Sequence, residues 1–240
     1  MSIAWITGTS SGLGEGFVKA LLSTHRITGF SRRPGSIVDN RYRHISLDLG
    51  DPTSIPGVIE QAVAAEPQPV ELDLLILNAG ILGPIRDLYG TQLEEIEQTM
   101  MVNVWANKIM IDTLLSLEES GKLRGPSRIL AISSGASQNG ARGWNAYSIS
   151  KAALNMMIQL YAAERPQKKW ISLAPGLVQT AMQDTLAKED PQRFPALNRL
   201  LAARGTADMP DGATAARRII DALELIFAAP NGSYVDIRKI

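Results

Sequence analysis

Two side chains in this sequence are spaced for proton chemistry. Tyr147 and Lys151 form a YxxxK pair inside Asn145–Glu164, a stretch with helical patterning. A helix sets residues four apart on one face, so both can point into one cleft. An isolated tyrosine titrates at about 10. A neighbouring ammonium would favour the phenolate and bring proton exchange toward neutrality. The bare spacing is also common on exposed helix faces, so its meaning depends on its company. Ser134 ends the apolar run Ser127–Ser133. Its hydroxyl could hold a carbonyl oxygen and the negative charge developing there. Ser133 and Ser137 are its rivals. There is no GxSxG elbow, which leaves a serine-hydrolase reading little support.

Groups so far apart in sequence need a scaffold that gathers them at one edge. Short apolar runs predict strands at Ser2–Thr7, Arg26–Ser31, Arg43–Leu47, Asp73–Leu77, Ser127–Ser133, Trp170–Leu173 and Ser233–Ile237. Between them lie helical patterns. The first carries Phe17, Leu21 and Leu22 as core candidates. Ser54–Ala65 reads as a helix despite Pro56. Thr91–Glu119 is the longest, with Leu93, Ile96, Met100, Val104 and Ile111 on related faces. Ala213–Ala228 follows a cap-like PDG. Gln179–Gly205 is polar and mixed, and its pattern decides little. Alternating strands and helices predict an α/β fold: a doubly wound, Rossmann-like parallel sheet of about seven strands with helices on both faces. In such sheets ligands bind beyond the carboxyl ends of the strands, and every glycine-rich or polar break noted here falls at such an end.

The first break is a phosphate cradle by type. Gly8, Gly12 and Gly14 follow a strand and open a helix, so the backbone can turn tightly beside free N–H groups. The strand–turn–helix context favours dinucleotide binding over a plain loop. The second strand ends in Ser31, Arg32 and Arg33 where a carboxylate would meet a ribose 2′-hydroxyl. Guanidinium groups there favour a 2′-phosphate, hence NADP(H) over NAD(H). The competing reading is two solvated surface arginines. Asn78-Ala79-Gly80 after the fourth strand lets backbone approach a ligand, and Asn78 can also brace the central strand.

The glycine spacing, Thr7-Gly8-Thr9-Ser10-Ser11-Gly12-Leu13-Gly14, is TGxxxGxG rather than GxGxxG. It resembles the classical short-chain dehydrogenase/reductase family. The resemblance runs from that turn through NAG and YSISK to PGLVQT. It implies a tetrad of Asn103, Ser134, Tyr147 and Lys151. Ser134, thirteen residues before Tyr147, sits at the family's serine spacing. Tyr147 then acts as acid in reduction and base in oxidation, helped by the positive nicotinamide of the oxidised cofactor. Lys151 holds the nicotinamide ribose, and Asn103 supports a water-linked proton relay; Asn107 lies one turn further along. The resemblance also implies cofactor contacts from Ser10, Ser11, Leu13, Asp48 and Leu49, and from Pro175, Gly176, Val178 and Thr180. Asp48 can equally be a turn former, and Pro-Gly an ordinary turn.

The implied activity is NADPH-dependent reduction of a ketone or dicarbonyl to an alcohol. APGLVQTAM and the terminal SYVDI look similar to the branch that holds the sepiapterin and benzil reductases. A 3-ketoacyl reductase or a sugar dehydrogenase stays open as an alternative. So does an NADP(H)-sensing protein without turnover, although such a protein need not keep all four tetrad members. Trp144, Leu177, Met182 and Leu186 are candidates for an apolar substrate wall, with 179–205 as a lid.

Composition agrees with one domain over residues 1–240 and adds exclusions. With no cysteine, thiolate catalysis and cysteine-ligated metals are ruled out. His25 and His44 match no metal motif, so no metal is expected. Zero formal net charge gives no reason to expect nucleic acid. No apolar run approaches the about 20 residues that cross a bilayer, and the N-terminus does not read as a signal peptide, so a cytoplasmic location is expected. The partner expected is a small carbonyl substrate. The Met100/Met101 and Met156/Met157 pairs lie on the helices that form the family's subunit interface, which implies a homodimer or homotetramer.

Overall fold

The computed structural model describes residues 1–240. Seven parallel strands form the sheet: β1 Ser2–Thr7, β2 His25–Ser31, β3 Tyr42–Ser46, β4 Val70–Leu77, β6 Arg128–Ile132, β7 Lys169–Ala174 and β8 Tyr234–Asp236. A two-residue β5, Leu123–Arg124, pairs with the start of β4. The order is β3-β2-β1-β4-β6-β7-β8. Winding reverses between β1 and β4, and a crevice opens where their carboxyl ends diverge.

The central strands are buried on both faces, whereas β3 at the edge has no buried residue. In β4, Leu75 and Leu77 enter one core while Leu74 and Ile76 enter the other. One face is covered by α2 Ile55–Ala64, α4 Ala106–Glu119 and α5 Asn145–Glu164, the other by α1 Gly12–Leu21, α8 Gly212–Asp221 and α9 Leu223–Ala228. Pro56 sits in the first turn of α2, where its missing N–H costs nothing. Helices α1 and α8 touch through glycine. A Cβ on Gly212 would lie 2.3 Å from the Gly12 carbonyl, which fixes the entry of α1 beside the crevice.

Periodicity misjudged two regions and left a third undecided. The expected helix Thr91–Glu119 is α3 Leu93–Met100 and α4, joined by one π-helical stretch, Met101–Trp105. A π turn inserts a residue and shifts the helical phase, which an apolar pattern does not register. Leu93, expected inward, is exposed on the first turn of α3. Ala213–Ala228 breaks at Ala222 into α8 and α9. The undecided 179–205 holds two short helices, α6 Ala181–Leu186 and α7 Ala196–Ala203.

Candidate active site

The crevice at the carboxyl ends of β1, β4 and β6 opens as one cleft of about 940 Å³. Every cofactor contact expected from the sequence lines it except Asn103, and so do Ser134, Tyr147 and Lys151.

At its centre the turn after β1 is held from below. Gly8 has φ +75°, and its N–H donates to the Phe30 carbonyl at 2.7 Å. A Cβ on Gly14 would sit 2.1 Å from the Gly8 oxygen, so α1 can start here only with glycine. The Asn78 amide donates to the carbonyls of Thr7 and Gly8, at 3.0 and 3.3 Å. The Thr7 hydroxyl accepts from the N–H groups of Asn78 and Ala79, both at 3.0 Å. Asn78 is therefore a brace for the turn as well as a cleft residue. Thr7 is a second brace, which the sequence shows only as a letter in the motif.

Toward β2, the Ser31 hydroxyl donates to the Arg33 carbonyl at 2.8 Å and lies 3.0 Å from His44 Nε2. Ser31 thus holds the turn that presents Arg32 and Arg33. Both guanidinium groups are exposed at the cleft and have no ion pair or hydrogen bond within the protein. Asp48 accepts from the Gly50 N–H at 2.9 Å, so it does form the turn, and Leu49 packs mostly into the core.

At the other end, α5 carries Tyr147 and Lys151 on one face. Lys151 is buried, and its Nζ donates to the Ile132 carbonyl at 2.7 Å. Burial pulls its pKa down to about 8. The Tyr147 phenol is also pushed up by burial, while the adjacent Ser134 hydroxyl works the other way. The sequence reading has the phenolate favoured by Lys151 together with the positive nicotinamide of an oxidised cofactor. In the protein alone the ammonium is engaged at Ile132 and lies 5.7 Å from the tyrosine ring centroid, and burial is the larger influence on the phenol.

The three rival serines separate by their partners. Ser137 donates to the Ser134 carbonyl at 2.7 Å and accepts from Asn155 at 2.9 Å. Ser133 is buried with an unpartnered hydroxyl on the cleft wall. Ser134 alone stands beside Tyr147.

Asn103 lies in the π turn, fully buried behind the cleft wall. Its side chain accepts from the Ile81 N–H at 2.8 Å and donates to the Ile81 carbonyl and the Ser150 hydroxyl, both at 2.9 Å. Asn107 donates to the Asn103 carbonyl at 2.9 Å. A Cβ on Gly80 would be 3.2 Å from Asn103 Oδ1 and 3.4 Å from Lys151 Nζ, so these groups are neighbours. Asn103 reaches the site by shaping the Gly80–Ile81 wall.

Beyond Tyr147 the wall is apolar. Trp144, Leu177, Met182 and Leu186 all line it, and Phe194 and Leu197 of the lid pack behind. Arg199, Arg238, Gln98 and Asn139 also line this half and escaped the sequence reading. For Arg199 there was no usable signal, because α7 is too short to show a period. For Arg238 there was none either, because it reaches the cleft from the chain's last residues.

These residues fit a dinucleotide. The α1 amino terminus opens on the cleft with no side-chain cap, the glycines leave a cradle that any Cβ would fill, and two free guanidinium groups wait at one end.

A family model described as short chain dehydrogenase matches residues 2–191. Benzil reductase ((S)-benzoin forming) of Bacillus cereus is 29% identical over 233 residues, covering 91% of this chain and 92% of that protein. Sepiapterin reductase of Meriones unguiculatus is 33% identical over 188 residues, covering 75% and 69%. YIR035C, a short chain dehydrogenase/reductase of Saccharomyces cerevisiae, has the same fold at a TM-score of 0.84 and 22% identity, over 99% of this chain and 96% of that one. A short chain dehydrogenase of Escherichia coli CFT073, solved in complex with NADPH, gives 0.73 at 22% identity over 99% and 96%.

Proposed function

From the family to which this chain belongs, the short-chain dehydrogenases, we propose a particular oxidoreductase: one that reduces a ketone or dicarbonyl to an alcohol with NADPH. The observation that carries this reading is the placement of Ser134 beside the Tyr147 phenol, with Lys151 buried behind, at the floor of a cleft whose far end offers two unpaired arginines. The similarity to benzil and sepiapterin reductases supports the carbonyl substrate.

The glycine turn and the α1 amino terminus would hold the pyrophosphate, Arg32 and Arg33 the 2′-phosphate, and Val178 with Thr180 the nicotinamide side. When bound, the reduced nicotinamide supplies the hydride. The chain's own work concerns the oxygen. Ser134 donates a hydrogen bond to the substrate carbonyl oxygen and steadies its growing negative charge. Tyr147 gives that oxygen a proton, and a phenol held protonated by burial is already in the donor state. Lys151 holds positive charge beside the phenolate that remains. Asn103 acts through Ile81 and Gly80, keeping the wall next to Lys151 in place. The apolar wall excludes water and seats the body of the substrate.

We further propose self-association through α4 and α5. Ile149, Met156 and Leu160 of α5 and Trp105, just before α4, are exposed apolar side chains. Of the methionine pair on α5, Met156 faces outward and Met157 is core.

Tyr147→Phe tests the chemistry. The variant should bind NADPH as the parent does, read by the cofactor's fluorescence. It should lose turnover on diketones and aryl ketones by about 10²-fold or more, the worth of a positioned proton donor. Near-parental turnover would exclude the mechanism.

A further inference from the structure

The carbonyl substrate of this reading has an acidic group, and Arg199 is its recognition residue; we infer this from which arginines the fold leaves unpaired. Most arginines of the chain are committed to a carboxylate or a carbonyl. Arg128, for example, bridges Asp73 and Glu224, Arg204 holds Asp184, and Arg218 donates to the Ile237 carbonyl. The guanidinium groups of Arg32, Arg33, Arg43 and Arg199 have no ion pair or hydrogen bond within the protein. Arg43 is exposed on β3 and outside the cleft. The other three line the cleft, Arg32 and Arg33 where the sequence places a phosphate, Arg199 on the opposite, substrate half.

The position of Arg199 follows from helical phase. Ala196, Arg199 and Leu200 of α7 line the cleft, at i, i+3 and i+4. Phe194 and Leu197 anchor that segment beneath, nearly fully buried. Arg199 is exposed, and it lines the half of the cleft whose apolar wall includes Trp144 and Leu186.

Charge in this half is one-sided. Its other cations are committed: Arg238 to Asp236 through Nε at 2.8 Å and Nη2 at 2.5 Å, and Lys151, buried at the floor, to the Ile132 carbonyl. No carboxylate side chain lines the cleft except Asp48 and Asp51, at the end toward β3. One free positive charge remains, with a planar fork of donors and an apolar wall beside it. That combination fits a ligand with an apolar body and a single carboxylate remote from its reacting carbonyl. A dianionic phosphate would leave one charge unmatched.

The inference rests on the reductase reading, and matched substrates keep the two separable. Three keto acids of increasing reach serve as probes, 4-oxopentanoate, 4-acetylbenzoate and 4-benzoylbenzoate, each beside its uncharged amide, with NADPH in excess. At least one acid should show a KM about tenfold or more below that of its amide at low salt, with similar kcat, the signature of binding shared by ground and transition states. That preference should shrink as ionic strength rises. Arg199→Ala should abolish the preference through KM, Arg199→Lys should restore part of it, and Arg199→Glu should reverse it. Reduction of acids and amides without preference, or a preference untouched by Arg199→Ala, overturns the inference and leaves the reductase reading standing. If no ketone of either kind is reduced, the reductase reading falls and takes the inference with it.

Discussion

Asn103→Ala tests the argument that this residue works as a brace. Its side chain satisfies both polar groups of the Ile81 peptide and reaches Ser150 Oγ, in a place with no solvent exposure. Alanine leaves the Ile81 N–H and C=O without partners. Ile81 is half-buried and lines the cleft, so water can recover part of the loss; each orphan then costs about 1 kcal/mol, and the total should be about 2 kcal/mol. That is a substantial part of the about 5–15 kcal/mol that holds an ordinary domain together. The variant should fold but unfold at a lower urea midpoint, with an unchanged slope. Asn103→Asp keeps an acceptor for the Ile81 N–H but turns a second acceptor on the Ile81 carbonyl and buries a charge, so it should fare no better. Turnover should fall in both, because Ile81 and Gly80 form the wall beside Lys151. A destabilisation below about 1 kcal/mol for Asn103→Ala would refute the brace. Asn103 would then act on the chemistry without holding the wall.

Arg32→Ala should raise the KM for NADPH about tenfold with little change for NADH, since a charged hydrogen bond to phosphate is worth at least about 1.4 kcal/mol; steady-state kinetics with both cofactors check it, and an unchanged ratio removes Arg32 from the phosphate site. Lys151 should give kcat/KM a descending limb near pH 8, because its ammonium is lost as pH rises through its folded pKa of about 8. The same depressed pKa means that the residue's stabilising contribution is full above the unfolded lysine value and is lost as pH falls toward 8. A limb that persists in Lys151→Met would assign it elsewhere. Met156→Lys or Leu160→Glu should shift the chain toward the monomer in size-exclusion chromatography with light scattering, and a parent that is already monomeric refutes the α4–α5 interface.

The sheet was legible because strands buried on both faces leave an unmistakable mark. DLLIL can only be interior, and each such run ends in a residue that breaks the pattern. Phase errors were not legible. The π turn at Met101–Trp105 keeps a helical composition while displacing its faces, and Leu93 was misjudged for the same reason. The lid was unreadable because α6 and α7 are too short to show a period, and only Phe194, Leu197 and Leu186 anchor them.

The site divides along a related line. Residues that must touch a ligand stand where a strand stops, and their types are wrong for a core, so Tyr147, Ser134 and the two strand-end arginines could be found by type and place. Braces are wrong for a core in the same way, yet every polar atom they have is spent inside the protein. Ser31 and Asn103 read as ligand contacts in sequence and Thr7 only as part of a motif, and their hydrogen bonds add that all three hold backbone. Arg199 is the converse. In sequence it is one arginine among many on a polar segment, and it becomes visible when most of the others are matched to partners and it alone stays unpaired in the substrate half of the cleft. A buried polar group without a partner is a cost the fold rarely bears, whereas an exposed guanidinium without one costs the fold nothing. Its location therefore carries the weight: a lone cation proves little on an open surface, but in the half of a cleft that holds no carboxylate it sets the sign of the charge that half will accept.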